Sequence, residues 1–259
     1  MSDQAEAAPA GHPTAEPLAG LTVQVAGAGS PSGTAVGGAL ERAGAKVVAV
    51  GRDAARLQAS LVRLHDADLR PCDLSDADQV DALAGNLQET YGGIDGVVHL
   101  VGGWRGGGGI AGQREEDWQF LETGILHTLR NVSRSFSDHL EASPSGRLAI
   151  VSSPAVDNPT AGGAGYAAAK AAAEAWVQAV AQGFGRSQSG RRQDPVQQHS
   201  AAVVFVVKAL VDEAMRAAEP DRNFGSYTDV ETLADAAVAL FTSDAASLNG
   251  RRIRLDPKP

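Results

Sequence analysis

Tyr166 and Lys170 are spaced for joint chemistry, and Ser153 precedes the tyrosine by thirteen residues. On a helix, residues i and i+4 share a face, so the phenol and the ammonium can point into one cleft. A nearby cation favours a phenolate and lowers the pKa of a tyrosine. A tyrosine tuned in this way can exchange a proton with an alcohol or a carbonyl. A Tyr/Lys pair at this spacing also arises by chance on alanine-rich helices, so the surrounding elements must decide.

The N-terminal part of the chain predicts a phosphate-binding turn. Residues 21–26 form a short apolar run, residues 27–33 read GAGSPSG, and apolar residues at helical spacing continue to Gly44. A second buried strand follows at residues 46–50. Backbone amides in such a turn, at a helix N-terminus, bind a pyrophosphate, although an ordinary tight turn is the alternative. The candidate cofactor-binding residues in this turn are Gly27, Ser30, Ser32 and Gly33, with Ser30 as N-cap and Pro31 at the first helical position.

Three further cofactor candidates follow later strands. Arg52 ends the second strand, where an arginine suits the 2′-phosphate of NADP and favours NADP over NAD, unless it is only a solvated arginine beside Asp53. Asp73 follows the third strand and is placed either to touch an adenine amino group or to cap a turn. Gly102 begins a loop with six glycines in residues 102–109, which either closes over a ligand or is a surface linker.

Apolar periodicity predicts the remaining elements. A long helix is expected over residues 115–140, with an apolar stripe facing the core or a partner subunit. The fifth strand, residues 146–152, ends beside Ser153, and the Tyr166 helix runs to about Phe184. A sixth strand is expected at residues 203–207, followed by a helix over the cleft at 208–218. A capped helix beginning at Thr228 and a last strand at 252–255 complete the chain.

Composition indicates one globular domain. The chain has 259 residues, with 43% hydrophobic and 20% charged residues. Residues 1–17 predict a flexible tail, residues 18–259 a single domain, and residues 185–200 an exposed loop within it. A net charge of −9 argues against nucleic-acid and anionic-membrane partners, and no apolar run approaches the ~20 residues that span a bilayer. The single cysteine, Cys72, and the lack of metal-binding motifs fit a metal-free protein in the reducing cytoplasm.

The ordered series of motifs resembles the short-chain dehydrogenase/reductase family over roughly residues 18–255. The resemblance implies an α/β fold, a Rossmann-type doubly wound parallel sheet of about seven strands in the order 3-2-1-4-5-6-7, and a homotetramer or homodimer. It also implies a small-molecule alcohol or carbonyl substrate and NADP, or else NAD, as cofactor. In the family pattern Tyr166 is the general acid/base, Lys170 lowers its pKa and binds the nicotinamide ribose, and Ser153 orients the substrate oxygen.

Four positions in the cofactor cleft depart from the family pattern. Pro31 replaces the middle glycine of the turn, and residues 99–102 read HLVG where the family has NNAG. Ile125, or Gly124 with a slip of one, replaces the asparagine of the family's proton relay. Val207-Lys208 replaces the Pro-Gly after the sixth strand. The alternative to an active oxidoreductase is therefore a catalytically impaired relative that serves as a cofactor-binding or scaffold subunit.

Overall fold

The computed structural model describes residues 16–60 and 62–256. The predicted flexible tail, residues 1–17, lies outside the described residues except for Glu16 and Pro17. Leu18 is fully buried, and its amide donates to the carbonyl of Ala43, so Leu18 belongs to the packed domain.

A seven-stranded parallel sheet forms the centre of the molecule. Its strands lie in the order β3-β2-β1-β4-β5-β6-β9, which confirms the predicted topology. Two further short strands, β7 and β8, pair with each other as a separate parallel ribbon. The strands are β1 Thr22–Ala26, β2 Lys46–Gly51, β3 Asp68–Pro71, β4 Gly96–His99, β5 Arg147–Ser152, β6 Ala201–Val206, β7 Leu210–Val211, β8 Thr228–Asp229 and β9 Arg252–Arg254. The order reverses between β1 and β4, which opens a crevice at the carboxyl ends of these strands.

Helices cover both faces of the sheet because its central strands are apolar on both faces. The helices are α1 Pro31–Arg42, α2 Ala54–Ser60, α3 Ala77–Tyr91, α4 Glu115–Leu121, α5 Thr128–Ser135, α6 Ser137–Ala142, α7 Ala164–Ser187, α8 Glu213–Ala218, α9 Val230–Thr242 and α10 Ala245–Leu248. Helices α1 and α9 pack on one face of the sheet, and α3, α5 and α7 pack on the other. No helix in the described part of the chain is both long enough and apolar enough to cross a membrane.

The long helix predicted over residues 115–140 is interrupted twice. A π-helical segment, Glu122–His127, separates α4 from α5, and the non-helical residue Phe136 separates α5 from α6. The hydroxyl of Thr128, the first residue of α5, donates to the carbonyl of Gly124 in the π segment at 2.9 Å. Leu121, Ile125 and Leu129 nevertheless stay buried, whereas Trp118 in α4 is 37% exposed.

Two other predicted boundaries are wrong. The helix expected at residues 208–218 is shorter: strand β7 takes the first part, and α8 begins only at Glu213, after Asp212 caps it. The segment 185–200 is not wholly an exposed loop. Helix α7 extends into it as far as Ser187, and Gln188 and Ser200 are buried and joined by a 2.7 Å hydrogen bond. Residues 189–197 between them are exposed.

Candidate functional site

The glycine turn after β1 folds tightly against the start of α1. Gly27 has a φ of +87°, a conformation that favours glycine. A Cβ on Gly33 would lie 2.3 Å from the carbonyl oxygen of Gly27 and 2.6 Å from the Cα of Ala28. Only glycine fits at this point, because the atoms it would meet belong to the backbone. The turn therefore keeps the close approach that a phosphate-binding turn requires.

Two serines flank the proline of this turn. Ser30 caps α1: its hydroxyl accepts from the amide of Gly33 at 3.1 Å and donates to the carbonyl of Gly27 at 2.8 Å. Pro31 takes the first helical position, where its missing amide costs the helix nothing. Among the described residues, the hydroxyl of Ser32 makes one hydrogen bond, at 3.2 Å to the hydroxyl of Ser30.

A cavity of about 860 Å³ extends from the glycine turn along the carboxyl ends of the strands. The predicted residues that line it are Gly27, Ser30, Arg52, Asp73 and Gly102. Ser32 and Gly33 lie beside this wall without lining it. The catalytic candidates lie just beyond its far end, where a Cβ on Gly102 would be 3.9 Å from Nζ of Lys170. The cavity thus joins the two groups of residues that the sequence singled out.

Two arginines stand at the β2 end of the cavity. Arg52 and Arg56 both line it, and Arg56 packs over Gly29 of the turn. Asp53 caps α2 through the amides of residues 55 and 56, and its other carboxylate oxygen lies 3.6 Å from Nε of Arg56. Asp73 lies opposite: its carboxylate accepts from the amide and hydroxyl of Ser75, and these bonds lower its pKa, with a smaller contribution from Arg52. Asp73 is therefore a turn cap that also lines the cavity.

Helix α7 carries Tyr166 and Lys170 against the end of β5. Its buried alanines let the helix approach the strand closely, and alanine also favours the helix itself. Nζ of Lys170 donates to the carbonyl of Val151 at 2.6 Å and lies 5.8 Å from the ring centre of Tyr166. Ser153, 5% exposed, follows β5 and interacts with the phenol of Tyr166. The three candidate residues lie together.

The pKa of Tyr166 differs from the sequence-based expectation. Burial raises it, and the hydrogen bond from Ser153 acts in the opposite direction. The Tyr/Lys spacing predicts that Lys170 lowers the pKa of Tyr166, but the Lys170 ammonium donates to the Val151 carbonyl, and burial lowers the pKa of Lys170 itself to about 8. The phenol is therefore protonated at neutral pH and is set to donate a proton.

His99 is buried under the site, at the end of β4. Its Nε2 lies 3.0 Å from the hydroxyl of Thr128, which already donates to the carbonyl of Gly124. Nε2 must therefore carry the proton, and Nδ1 is a buried acceptor without a protein partner among the described residues. Burial lowers the pKa of His99 to about 3, and the charge of Lys170 acts in the same direction. The imidazole is neutral across the physiological range.

The buried imidazole predicts a loss of stability in acid. Because the unfolded chain binds a proton on this histidine below about pH 6.5 and the folded chain does not, the free energy of unfolding falls as pH drops from 6.5 towards 3. We expect His99 to contribute about 2 kcal/mol of the loss between pH 7 and pH 5. Urea unfolding at both pH values should show that much less pH dependence in His99→Gln. A pH dependence equal to that of the wild type would contradict the assignment.

The glycine-rich loop is fastened to the segment before α7. The amide of Gly107 donates to the carbonyl of Gly162 at 2.8 Å. Nε2 of Gln113 donates to the carbonyls of Gly107 and Gly109 at 3.1 and 3.0 Å, and its Oε1 accepts from the amide of Gly165. Trp104 is 61% exposed on this loop. The glycine-rich loop is therefore not a free linker. Hydrogen bonds hold it to the segment before α7 and to Gln113, and the side chain of Trp104 is exposed to solvent.

The doubly wound sheet and the cavity at its switch point define a Rossmann-type α/β protein. A model of the short chain dehydrogenase family matches residues 21–188, well over half of the chain. The chain belongs to the short-chain dehydrogenase family, a family of oxidoreductases. An uncharacterized oxidoreductase of Staphylococcus aureus strain MW2 is 29% identical over 197 residues, which cover 75% of this chain and 79% of the relative.

Solved structures of this family share the fold. A putative short chain dehydrogenase of Escherichia coli CFT073, complexed with NADPH, is 19% identical with a TM-score of 0.80, covering 95% of this chain and 100% of that one. A metagenomic short-chain oxidoreductase in complex with NADP is 23% identical with a TM-score of 0.76, covering 94% and 99%. An NAD+-bound xylitol dehydrogenase is 15% identical with a TM-score of 0.77, covering 93% and 99%.

Sequence reasoning did not identify three features of the site. Arg56 stands four residues after Arg52 at the start of α2, a spacing that was visible in the sequence. The contact between His99 and Thr128 joins residues 29 positions apart and had no local signal. Gln113 is an uncharged residue beside a loop, and only its three-dimensional contacts reveal that it fastens the loop to the Tyr166 helix.

Proposed function

We propose that the protein is an NAD(P)-dependent oxidoreductase that interconverts an alcohol and a carbonyl, with Tyr166 as general acid/base. The observation that carries the proposal is the meeting of Ser153, Tyr166 and Lys170 at one end of the cavity, with a glycine turn at the other. A chain freed from catalysis would be expected to lose this triad by drift. All three residues remain, and they lie together.

The cavity fits a dinucleotide. Backbone atoms of Gly27 and Ala28 occupy the place that a Cβ on Gly33 would take, so the turn packs closely against the start of α1. A helix N-terminus that follows such a turn binds phosphate groups. Asp73 suits an adenine amino group and the two arginines suit a 2′-phosphate. Gly102 leaves room beside Lys170 for the nicotinamide ribose. When bound, the nicotinamide supplies a hydride in reduction or accepts one in oxidation.

The side chains of this chain supply the proton. In reduction, the phenol of Tyr166 donates its proton to the carbonyl oxygen as the alcohol forms; in oxidation, it takes that proton back. Ser153 holds the same oxygen by a hydrogen bond and keeps it within reach of the phenol. Lys170, anchored on the Val151 carbonyl, is placed to bind the nicotinamide ribose beside Tyr166. Water is restricted on one side by the fastened glycine-rich loop.

Arg52 and Arg56 support NADP as the preferred cofactor. We expect Arg52→Ala and Arg56→Ala each to weaken NADPH binding by about 10- to 100-fold, because each removes a charged hydrogen-bond donor to the 2′-phosphate. NADH binding should change little. Titration calorimetry of both cofactors measures the difference, and Arg63→Ala, outside the cavity wall, is the matched control. Equal losses for NADPH and NADH would remove the NADP preference.

The function is tested by following NADPH absorbance with a panel of ketones and aldehydes, and NADP⁺ reduction with secondary alcohols. We expect at least one carbonyl class to be reduced by the wild type and not by Ser153→Ala. Binding of NADPH without turnover of any compound would instead favour the alternative, a cofactor-binding subunit that has lost catalysis. That alternative draws on Ile125, which fills the position of the relay asparagine and is 3% exposed.

A further inference from the structure

Glu174 is a carboxylate buried behind the proposed active site. It lies one helical turn beyond Lys170 on α7 and is 8% exposed. The intervening residues of the helix are alanines. A buried carboxylate costs several kcal/mol unless it is paired and hydrogen-bonded, so its partners indicate why it is there.

Two groups from different strands hold this carboxylate. Oε1 accepts from the hydroxyl of Ser152, the last residue of β5, at 2.5 Å. Oε2 lies 2.7 Å from Nε of Arg252 on β9. Arg252 also pairs with Asp157 at 2.9 Å. Glu174 therefore joins helix α7 to the carboxyl end of β5 and to the edge strand of the sheet.

Three consecutive residues at the end of β5 contact one face of helix α7. Their partners on the helix lie at positions i, i+4 and i+8. Ser153 interacts with Tyr166, the carbonyl of Val151 accepts from Lys170, and the hydroxyl of Ser152 donates to Glu174. Holding the hydroxyl of Ser152 on α7 also restrains Ser153, because the two residues are adjacent in the chain.

We propose that Glu174 is a positioning residue of the site, which fixes the Ser153-bearing end of β5 on helix α7 and supplies the counter-charge for Lys170. For catalysis the proposal rests on the oxidoreductase function proposed above. Glu174 reaches no substrate or cofactor itself. It acts through Ser152 and Lys170, the two residues next to the proton-transfer chemistry.

The charges around Lys170 determine in which direction its pKa should change in each variant. Glu174, on the same helix, raises the pKa of Lys170 against the larger lowering by burial. Neutral His99 faces it from β4, and Tyr166 lies one turn before it on α7. Arg252, behind Glu174, brings positive charge that is shared with Asp157. Removing Glu174 should therefore make Lys170 easier to deprotonate, and removing Arg252 should make it harder.

Lysine NMR on the full chain tests this without any need for turnover. The lysines are Lys46, Lys170, Lys208 and Lys258, so the ¹³Cε signal of Lys170 can be assigned with a single Lys170→Arg spectrum. We expect the Lys170 titration midpoint to move to lower pH in Glu174→Gln and to higher pH in Arg252→Gln. Gln178→Ala is the matched control, because Gln178 ties the next turn of α7 to Gly250 and carries no charge; its midpoint should equal that of the wild type.

An unchanged midpoint in Glu174→Gln, or the same direction of shift in both charge variants, overturns the proposal. If Glu174→Gln does not fold, Arg252→Gln still tests the proposal, since Arg252 is partly exposed and can be replaced. The Lys170 midpoint must rise in that variant. If the Lys170 midpoint moves as expected in both variants but the wild type turns over no compound, Glu174 is the counter-charge and the proposed function is refuted.

Turnover gives a second reading of the same role. We expect Ser152→Ala to lower kcat by about 10- to 100-fold with little change in the KM for NADPH, because it frees the strand end that carries Ser153 while leaving the cofactor cavity intact. In Glu174→Gln the high-pH limb of the kcat profile should move to lower pH together with the NMR midpoint. A wild-type kcat in Ser152→Ala would overturn the positioning part of the proposal.

Discussion

Tyr166→Phe should lower kcat by at least about 100-fold while NADPH binds as tightly as it does to the wild type. The substitution removes only the hydroxyl that we propose to exchange the proton. The aromatic ring at position 166 still packs against the core, so the fold should be unaffected. Steady-state kinetics and calorimetric titration on the same preparation separate the two effects.

Tyr91→Phe is the matched control for this experiment. Tyr91 loses an equivalent hydroxyl, one that donates to Asp68 at 2.9 Å on the outer edge of the sheet, away from the site. Its kcat should remain that of the wild type. Turnover retained in Tyr166→Phe would move the acid/base role to another group.

Gly33→Ala should abolish cofactor binding, with a loss of at least about 100-fold in NADPH affinity. The added Cβ would lie 2.3 Å from the Gly27 carbonyl oxygen and 2.6 Å from the Ala28 Cα. These are backbone atoms, so the turn itself must open, which also costs about 1–3 kcal/mol of stability. Calorimetric titration with NADPH and a thermal melt of the variant measure both effects.

Gly85→Ala controls for the loss of a glycine as such. Gly85 lies within α3, and a Cβ there meets nothing within 4 Å. Alanine favours a helix over glycine by about 1 kcal/mol, so this variant should be slightly more stable and bind NADPH normally. Wild-type affinity in Gly33→Ala would show that the turn does not hold the cofactor.

The topology could be predicted because its signals are local. The glycine turn stands directly between an apolar strand and a helix, and strands β2, β4, β5 and β6 contain short apolar runs. The proximity of Ser153, Tyr166 and Lys170 also follows from the sequence, since the order of strand end and helix brings them together, whereas their catalytic roles stay a prediction. Helix α7 and strand β5 meet as that order required.

The remaining features depend on contacts between distant residues. The π segment around Gly124 is coupled to the buried pair of His99 and Thr128, which no window of sequence displays. The pairing of Glu174 with Arg252 depends on β9 joining the sheet beside β6. The direction of the Tyr166 pKa follows from its burial, and a spacing rule for Tyr and Lys says nothing about burial.

Titration of NADPH and NADH against the wild-type protein tests the central claim most directly. Heat of binding and quenching of tryptophan fluorescence report independently, and exposed Trp104 on the glycine-rich loop lies near the site. We expect saturable binding of NADPH and weaker binding of NADH. Absence of binding of either cofactor at millimolar concentration would contradict it.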